Sequence, residues 1–337
     1  MATRASRARR ERLDRFMARA NAMYYASHDP FADFTTGPEI SQVFGEILGL
    51  WAVVVWQSMG SPSPVVLAEA GPGRGTLMAD ALRAIRSAAP AFAAALSVHL
   101  VETSPRLRDM QARAVPDAAW HANVAGLPDG PLILFANEFL DALPVRQFVR
   151  RGSRWAERYV EAGTPVDVPA EPPNSVLTKA ACVDGSVFEV SEEAVAFVAW
   201  LGKRLAGQGG SGLIVDYGPE ESAAGESLQA IRGMAPANPF RDPGSADLTA
   251  HVDFPMLAAV ARSRGALVHG PVPQGVFLTQ LGLYQRIDRL AWGQAPEKGM
   301  ALIAAAQRLA EPNQMGRLFK ALALCHPDVP PPPGFQQ

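Results

Sequence analysis

Cysteine is scarce: Cys182 and Cys325 are the only two in 337 residues, far apart and in no CxxC pair. That argues against a disulfide framework and a cysteine zinc site. It makes a reducing compartment the expected one, the cytoplasm or, in a eukaryote, the mitochondrial matrix. No spacing of His, Asp and Glu suggests a metal site either. Charge of one sign is also lacking. The 31 Lys and Arg against 33 Asp and Glu leave a net charge of −2, where a nucleic-acid binder usually carries a basic excess. No apolar run reaches the roughly 18–20 residues that span a bilayer. The longest candidate, Ile47–Trp56, is too short, and no secretory h-region is present. What the chain does have is 48% hydrophobic residues, enough for one large domain or one domain carrying a big insertion.

The N-terminus holds seven arginines, Arg4, Arg7, Arg9, Arg10, Arg12, Arg15 and Arg19, against Glu11 and Asp14. Such a start has the composition of an organelle transit peptide. Yet Leu13, Phe16, Met17 and Ala20 recur at i, i+3, i+4 and i+7, the apolar face of an amphipathic helix. The docked helix is the preferred reading of the two. After a loop over 24–38, one helix is expected to start at Pro38, with Ile40, Val43, Phe44, Ile47, Leu48 and Trp51 as its apolar stripe and Glu39, Gln42 and Glu46 opposite.

Beyond the SPSP loop at 61–64 the pattern alternates. Strands are expected at Val65–Ala70, Leu96–Val101, Ala118–Ala122, Leu132–Ala136 and Leu213–Val215. Helices are expected at Thr76–Ser87, at Pro105–Ala114 capped by Ser104, and from Glu192 to Leu205 capped by Ser191. This order predicts a doubly wound α/β fold with a parallel sheet. An insertion over 144–190 opens with a hairpin, Val145–Arg150 and Trp155–Val160, and closes on a strand at Ser186–Val190. Residues 219–250 read as loop, Asp253 as the cap of a helix to about Arg264, and Leu318–Leu324 as a last strand. The expected division is an N-terminal helical segment (1–60), a ligand-binding core (61–143 and 191–337), and the insertion (144–190) as a substrate or partner region.

The first strand runs into EAGPGRGT, which brings Glu69, Gly71, Gly73, Gly75 and Thr76 together. Glycines there let the chain turn sharply and let a ligand approach without a Cβ clash. The spacing is GxGxG, not the GxGxxG of a dinucleotide site. It suits S-adenosylmethionine, which has no pyrophosphate to seat on the helix N-terminus. Glu69 can meet that ligand's ammonium group. Glu102, at the end of the second strand, can accept its ribose hydroxyls, or alternatively cap the next helix. The fourth strand ends in ANEFLDALP. Asn137 is a candidate for the cofactor side. Glu138 and Asp141, three apart, would face the same way on a helical turn and hold a cationic substrate. The plainer alternative is helix capping by Asn137 and dipole matching by Glu138.

At these residues the sequence resembles the MidA-like family of class I methyltransferases, which includes the mitochondrial complex I assembly methyltransferase. The stretches are DFTTGPEISQVFGE (33–46), EAGPGRGTLMADALR (69–83), HLVETSPRLRDMQ (99–111), ANEFLDALPVRQF (136–148), DYG (216–218), SLQAIR (227–232), ADLTAHVDF (246–254) and MGRLFKALAL (315–324). They fall in family order over nearly the whole chain. Gly37-Pro38-Glu39 stands where the family tends to have Ser-Pro-Glu, and Gly225-Glu226-Ser227 where it has Gly-Asp-Thr. The resemblance implies a Rossmann-like class I methyltransferase sheet with an inserted α+β region. It also implies S-adenosylmethionine as cofactor and, from the mitochondrial member, arginine methylation on a respiratory-complex subunit.

Carboxylates suit an arginine because they match its planar fork, while a lysine ammonium gains little from that geometry. Glu138, Asp141 and Glu39 are the acids expected at the substrate. In ADLTAHVDF, Asp247, His251 and Asp253 form a second polar group, with His251 as the histidine considered for proton transfer or, more simply, for a structural hydrogen bond. The alternatives are a non-catalytic assembly protein retaining the methyltransferase fold and, against the glycine spacing, a nicotinamide dehydrogenase.

Overall fold

A computed structural model describes residues 10–28, 35–177 and 183–336. The chain forms two compact units. The larger comprises Thr35–Leu140, Val195–Glu221 and Val252–Gln337; the smaller comprises Met1–Phe34, Asp141–Ala194 and Ser222–His251.

The larger unit is built on a seven-stranded sheet: β1 (Val65–Ala70), β2 (Leu96–Val101), β3 (Ala119–His121), β4 (Leu132–Asn137), β5 (Gly210–Tyr217), β6 (Leu267–Pro273) and β7 (Phe319–Cys325). Their order across the sheet is β6-β7-β5-β4-β1-β2-β3. The strands from β1 to β5 pair in parallel, and β7 is antiparallel to both of its neighbours. Strands β1, β4 and β5 are buried at every residue. Covered on both faces, they carry apolar runs, Val65–Ala68, Leu132–Ala136 and Leu213–Val215, instead of an alternating pattern. The chain leaves β1 for β2 and β3, then returns to lay β4 on the other side of β1. That reversal opens a crevice beyond the carboxyl ends of β1 and β4, where such sheets bind ligands.

The helix Gln42–Ser58 buries Val43, Phe44, Ile47, Leu48 and Trp51. It packs against the helix Thr76–Ala88 through bare backbone: a Cβ on Gly49 would stand 2.6 Å from the Ala81 carbonyl oxygen. The single helix expected from Pro38 is two. Gly37–Ile40 forms one turn, and Ser41, extended at φ −156°, separates it from the long helix. The extended backbone lets the Ser41 hydroxyl accept the Val43 N–H at 3.3 Å, an N-cap that a continuous helix would forgo.

Strand β5 begins three residues before the expected Leu213 because Gly210, Ser211 and Gly212 have no strand signature. The glycines serve close packing: a Cβ at Gly210 would lie 2.0 Å from the Leu132 carbonyl oxygen, and one at Gly212 would meet Leu201. Strand β6 was not expected at all. Only part-buried, it contains Gly270, Pro271 and Pro273, and its ladder is irregular between His269 and Val272.

In the smaller unit the helix Leu13–Ser27 buries Leu13, Phe16, Met17, Ala20 and Tyr24. Val145, Val160, Ala230, Ala246 and Leu248 complete that core. The docked helix is therefore present, and Arg4, Arg7 and Arg9 lie outside the described residues. The hairpin Arg146–Arg151 and Arg154–Glu161 is joined by Glu11–Arg12, Thr164–Pro169 and Val187–Val190 in a five-stranded sheet. Residues 219–250, expected as loop, hold Gln229–Arg232, Ala235–Ala237 and Asp247–Thr249 as a three-stranded sheet. Strands of three or four residues are too short to show a period. The expected 1–60 segment is divided, its first helix going with the insertion and the rest with the seven-stranded sheet. Among the described residues, no helix is long and apolar enough to cross a membrane.

Candidate functional site

The glycine loop leaves β1 with three left-handed residues, Gly71 (φ +65°), Gly73 (φ +53°) and Gly75 (φ +83°), before Thr76 starts its helix. A side chain is strained at each of these, and a Cβ on Gly71 would meet the Phe139 ring at 2.7 Å. Glu69 precedes the loop at only 3% exposure. The Met78 N–H supports one side of its carboxyl, but Oε2 is buried without a hydrogen-bond partner. Burial pushes this acid from 4.5 up to about 8. A buried, unsatisfied carboxyl at the mouth of a glycine cradle fits the ammonium end of S-adenosylmethionine, which would satisfy Oε2 and favour the carboxylate.

Strand β2 is extended by the Glu102 N–H, which donates to the His121 carbonyl. The Glu102 carboxylate accepts the N–H groups of Thr103 and Ser104, both at 2.7 Å. The expected cap is thus real: Ser104 Oγ also accepts the Leu107 N–H. Oε1 takes both loop amides, while Oε2 receives Gln111 Nε2 at 3.2 Å and keeps capacity for another donor. Burial raises the Glu102 pKa, offset in part by these bonds and by the Arg108 guanidinium.

No helix begins after β4. Glu138 takes a left-handed conformation (φ +48°) and the chain bends, so the helical turn expected to align Glu138 with Asp141 does not form. The reason lies in Asp216 at the end of β5. Fully buried, its Oδ2 accepts the Phe139 N–H at 3.2 Å and the Leu140 N–H at 2.9 Å, amides that a helix would have left for capping. Asn137 accordingly caps nothing; its Nδ2 donates to Glu138 Oε1 at 3.2 Å, and its Oδ1 is buried without a partner. Glu138 Oε1 also accepts the Gly37 N–H at 2.8 Å. The half-buried carboxyl is pushed up to about 7, first by desolvation and then by the Asp216 charge. Glu39 turns to the glycine loop instead: Thr76 Oγ1 donates to its Oε1 at 2.5 Å, and Arg74 Nη1 lies 3.7 Å from Oε2. The Gly37–Glu39 turn thereby joins the acid of β4 to the loop of β1.

Asp141 and His251 belong to the smaller unit. There Asp141 and Asp247 surround Tyr25, whose hydroxyl donates to Asp247 Oδ1 at 2.8 Å. Burial, then Asp247, then Asp141 push that hydroxyl's pKa well up. His251 gives its backbone N–H to Ser227 Oγ, and Ser227 in turn donates to Glu189. The part-buried position that the family fills with Thr therefore keeps a hydroxyl on a carboxylate. Desolvation lowers the His251 pKa. Asp253 caps the helix Phe254–Ser263 through the Met256 N–H.

Two polar residues of this site escaped the sequence reading. Asp216 ends an apolar strand, the same anomaly that drew notice to Asn137. Gln111 shares the inward face of its helix with Leu107 at i, i+4, and both are buried.

Comparison with known proteins bears on this site. Residues 47–272 match the family described as "putative S-adenosyl-L-methionine-dependent methyltransferase". The chain is 33% identical to the Drosophila melanogaster "Protein arginine methyltransferase NDUFAF7 homolog, mitochondrial", over 96% of this chain and 84% of that protein. It is 31% identical to the Homo sapiens protein arginine methyltransferase NDUFAF7, over 89% and 76%. A Burkholderia thailandensis crystal structure bound to S-adenosyl-homocysteine superposes with a TM-score of 0.80 at 24% identity, over 96% of this chain and 90% of that one. A native structure from the same organism gives 0.79 at 26% identity, over 96% and 89%. The chain belongs to the MidA-like family of S-adenosylmethionine-dependent methyltransferases, and it is an enzyme of that class with S-adenosylmethionine as its cofactor.

Proposed function

We propose that this enzyme methylates an arginine side chain of a partner protein. The carrying observation is Glu138, a carboxyl fixed at the end of β4 by Gly37, Asn137 and the Asp216-held turn, in a chain 33% identical to a protein named as an arginine methyltransferase. Glu69, Gly71, Gly73, Gly75, Thr76, Glu102 and Asn137 would hold the cofactor. It supplies a methyl group on a sulfonium already activated by its positive charge. The chain's work is then to align a nucleophile and exclude water. Ionised Glu138 accepts N–H bonds from a guanidinium and localises electron density on the attacking nitrogen. With its pKa near 7, it can also take the proton that the nitrogen releases. Glu39 keeps the loop and the Gly37 N–H in register with that acid.

A respiratory complex I subunit, implied by the family resemblance, is the first substrate to try. The protein is incubated with labelled S-adenosylmethionine and respiratory subunits, and the product is hydrolysed to amino acids. Methylarginine is the expected label. Label confined to methyl-lysine, or to a small metabolite, would overturn the reading.

A further inference from the structure

We propose that Gln111 is the positioning residue of the cofactor site, a buried amide that clamps the glycine loop to the acid of β2. Gln111 has no solvent exposure. Its Nε2 donates to the Gly73 carbonyl oxygen at 2.8 Å and to Glu102 Oε2 at 3.2 Å. Its Oε1 accepts the Trp120 indole N–H at 2.9 Å. An indole N–H only donates, so the amide oxygen must face Trp120 and the NH2 group must face the two oxygens. Both NH2 hydrogens are used, one on the Gly73 carbonyl of the glycine loop and the other on the Glu102 carboxylate.

Each contact has a consequence for the ligand. The bond to Gly73 holds the middle of a loop whose three glycines would otherwise sample a wide range of backbone angles. The bond to Oε2 sets the rotation of the Glu102 carboxylate, because Oε1 is already held by two backbone amides. One residue thus fixes, relative to each other, the loop that takes the ligand's tail and the acid placed for its ribose. Trp120, on β3, ties the clamp to the third strand. A glutamate at this position would keep the acceptor for Trp120 but set a carboxylate against Glu102 and the Gly73 carbonyl.

This inference rests on Glu102 as the ribose acid and is independent of the methylated substrate. The test is calorimetric binding of S-adenosylhomocysteine to the full chain and to Gln111→Leu, Gln111→Glu, Glu102→Ala and Gln111→Leu/Glu102→Ala, with folding checked by thermal unfolding. Gln111→Leu is expected to weaken binding by about tenfold to a hundredfold, the equivalent of one hydrogen bond to a charged group. On the Glu102→Ala background the same change is expected to cost less than about threefold, since contacting residues do not act additively. Gln111→Glu is expected to bind worst at pH 8 and to recover relative to wild type toward pH 6, as its carboxyl regains a proton to donate. A purely structural glutamine would show neither the coupling nor the pH dependence. If Glu102→Ala binds normally, the ribose assignment falls and this inference with it. If Glu102→Ala binds weakly while Gln111→Leu binds normally, or the two effects add, the clamp alone is overturned. Should Gln111→Leu fail to fold, the near-isosteric Gln111→Glu carries the decision through its pH profile.

Discussion

Glu69→Gln is the substitution whose consequences can be worked furthest. Burial lifts the Glu69 acid from 4.5 to about 8, and nothing bonds its Oε2. At about 1.4 kcal/mol per pH unit, the ligand-free protein disfavours the carboxylate by on the order of 5 kcal/mol. Because the folded protein holds a proton that the unfolded chain releases, this group's contribution to stability is fully present below 4.5. It is lost as pH climbs from 4.5 through about 8. Urea unfolding of the ligand-free protein between pH 5.5 and 7.5 should therefore show wild type losing about 1.4 kcal/mol per pH unit relative to Glu69→Gln. Binding runs the other way. A cationic ligand end favours the carboxylate, so wild-type affinity for S-adenosylhomocysteine should gain up to about tenfold per pH unit between 6 and 8, measured against the Gln variant. The comparison matters because the ligand's own α-amino group titrates in the same range, and that effect is common to both proteins. Parallel pH profiles for wild type and Glu69→Gln, in stability and in affinity, would refute the reasoning.

Four further outcomes are expected. Glu138→Gln should leave cofactor affinity near normal while slowing methyl transfer at least about a hundredfold; the wild-type rate should be present above about 7 and fall as pH drops through it, a limb the variant lacks. Wild-type transfer in Glu138→Gln would leave Glu138 as a structural residue only. Asp216→Ala strands the buried N–H groups of Phe139 and Leu140 and should cost about 2–4 kcal/mol in urea unfolding, against little effect if those amides find other partners. Gly49→Ala should destabilise by about 1–3 kcal/mol, because its Cβ would stand 2.6 Å from the Ala81 carbonyl oxygen. Gly207→Ala, in a helix with nothing within 4 Å of the added atom, should instead stabilise by about 0.5–1 kcal/mol. Equal thermal shifts for the two glycine variants would contradict the packing account.

What the sequence determined by itself were the features carried by local chemistry. The apolar runs of β1 and β4 announced themselves because a strand covered on both faces has few polar positions to spare. Ser104, Ser191 and Asp253 marked helix starts because a cap satisfies amides only two or three residues away. The glycine loop and its acid were legible because left-handed backbone leaves little choice but glycine. Tertiary structure decided whatever depended on partners distant in the chain. Glu138 and Asp141 suggested a helical turn from their spacing, but Asp216, 76 residues further along from Leu140, captured the amides and bent the chain. Glu39 was expected as a substrate acid, and its spacing gave no sign of the bond to Thr76 or the ion pair with Arg74 that tie it to the glycine loop. Gln111 read as an ordinary helix residue, since its three partners come from a loop, another strand and a strand end. A spacing rule sees only neighbours within a few residues, whereas a buried polar atom takes whichever partner folding brings within about 3 Å.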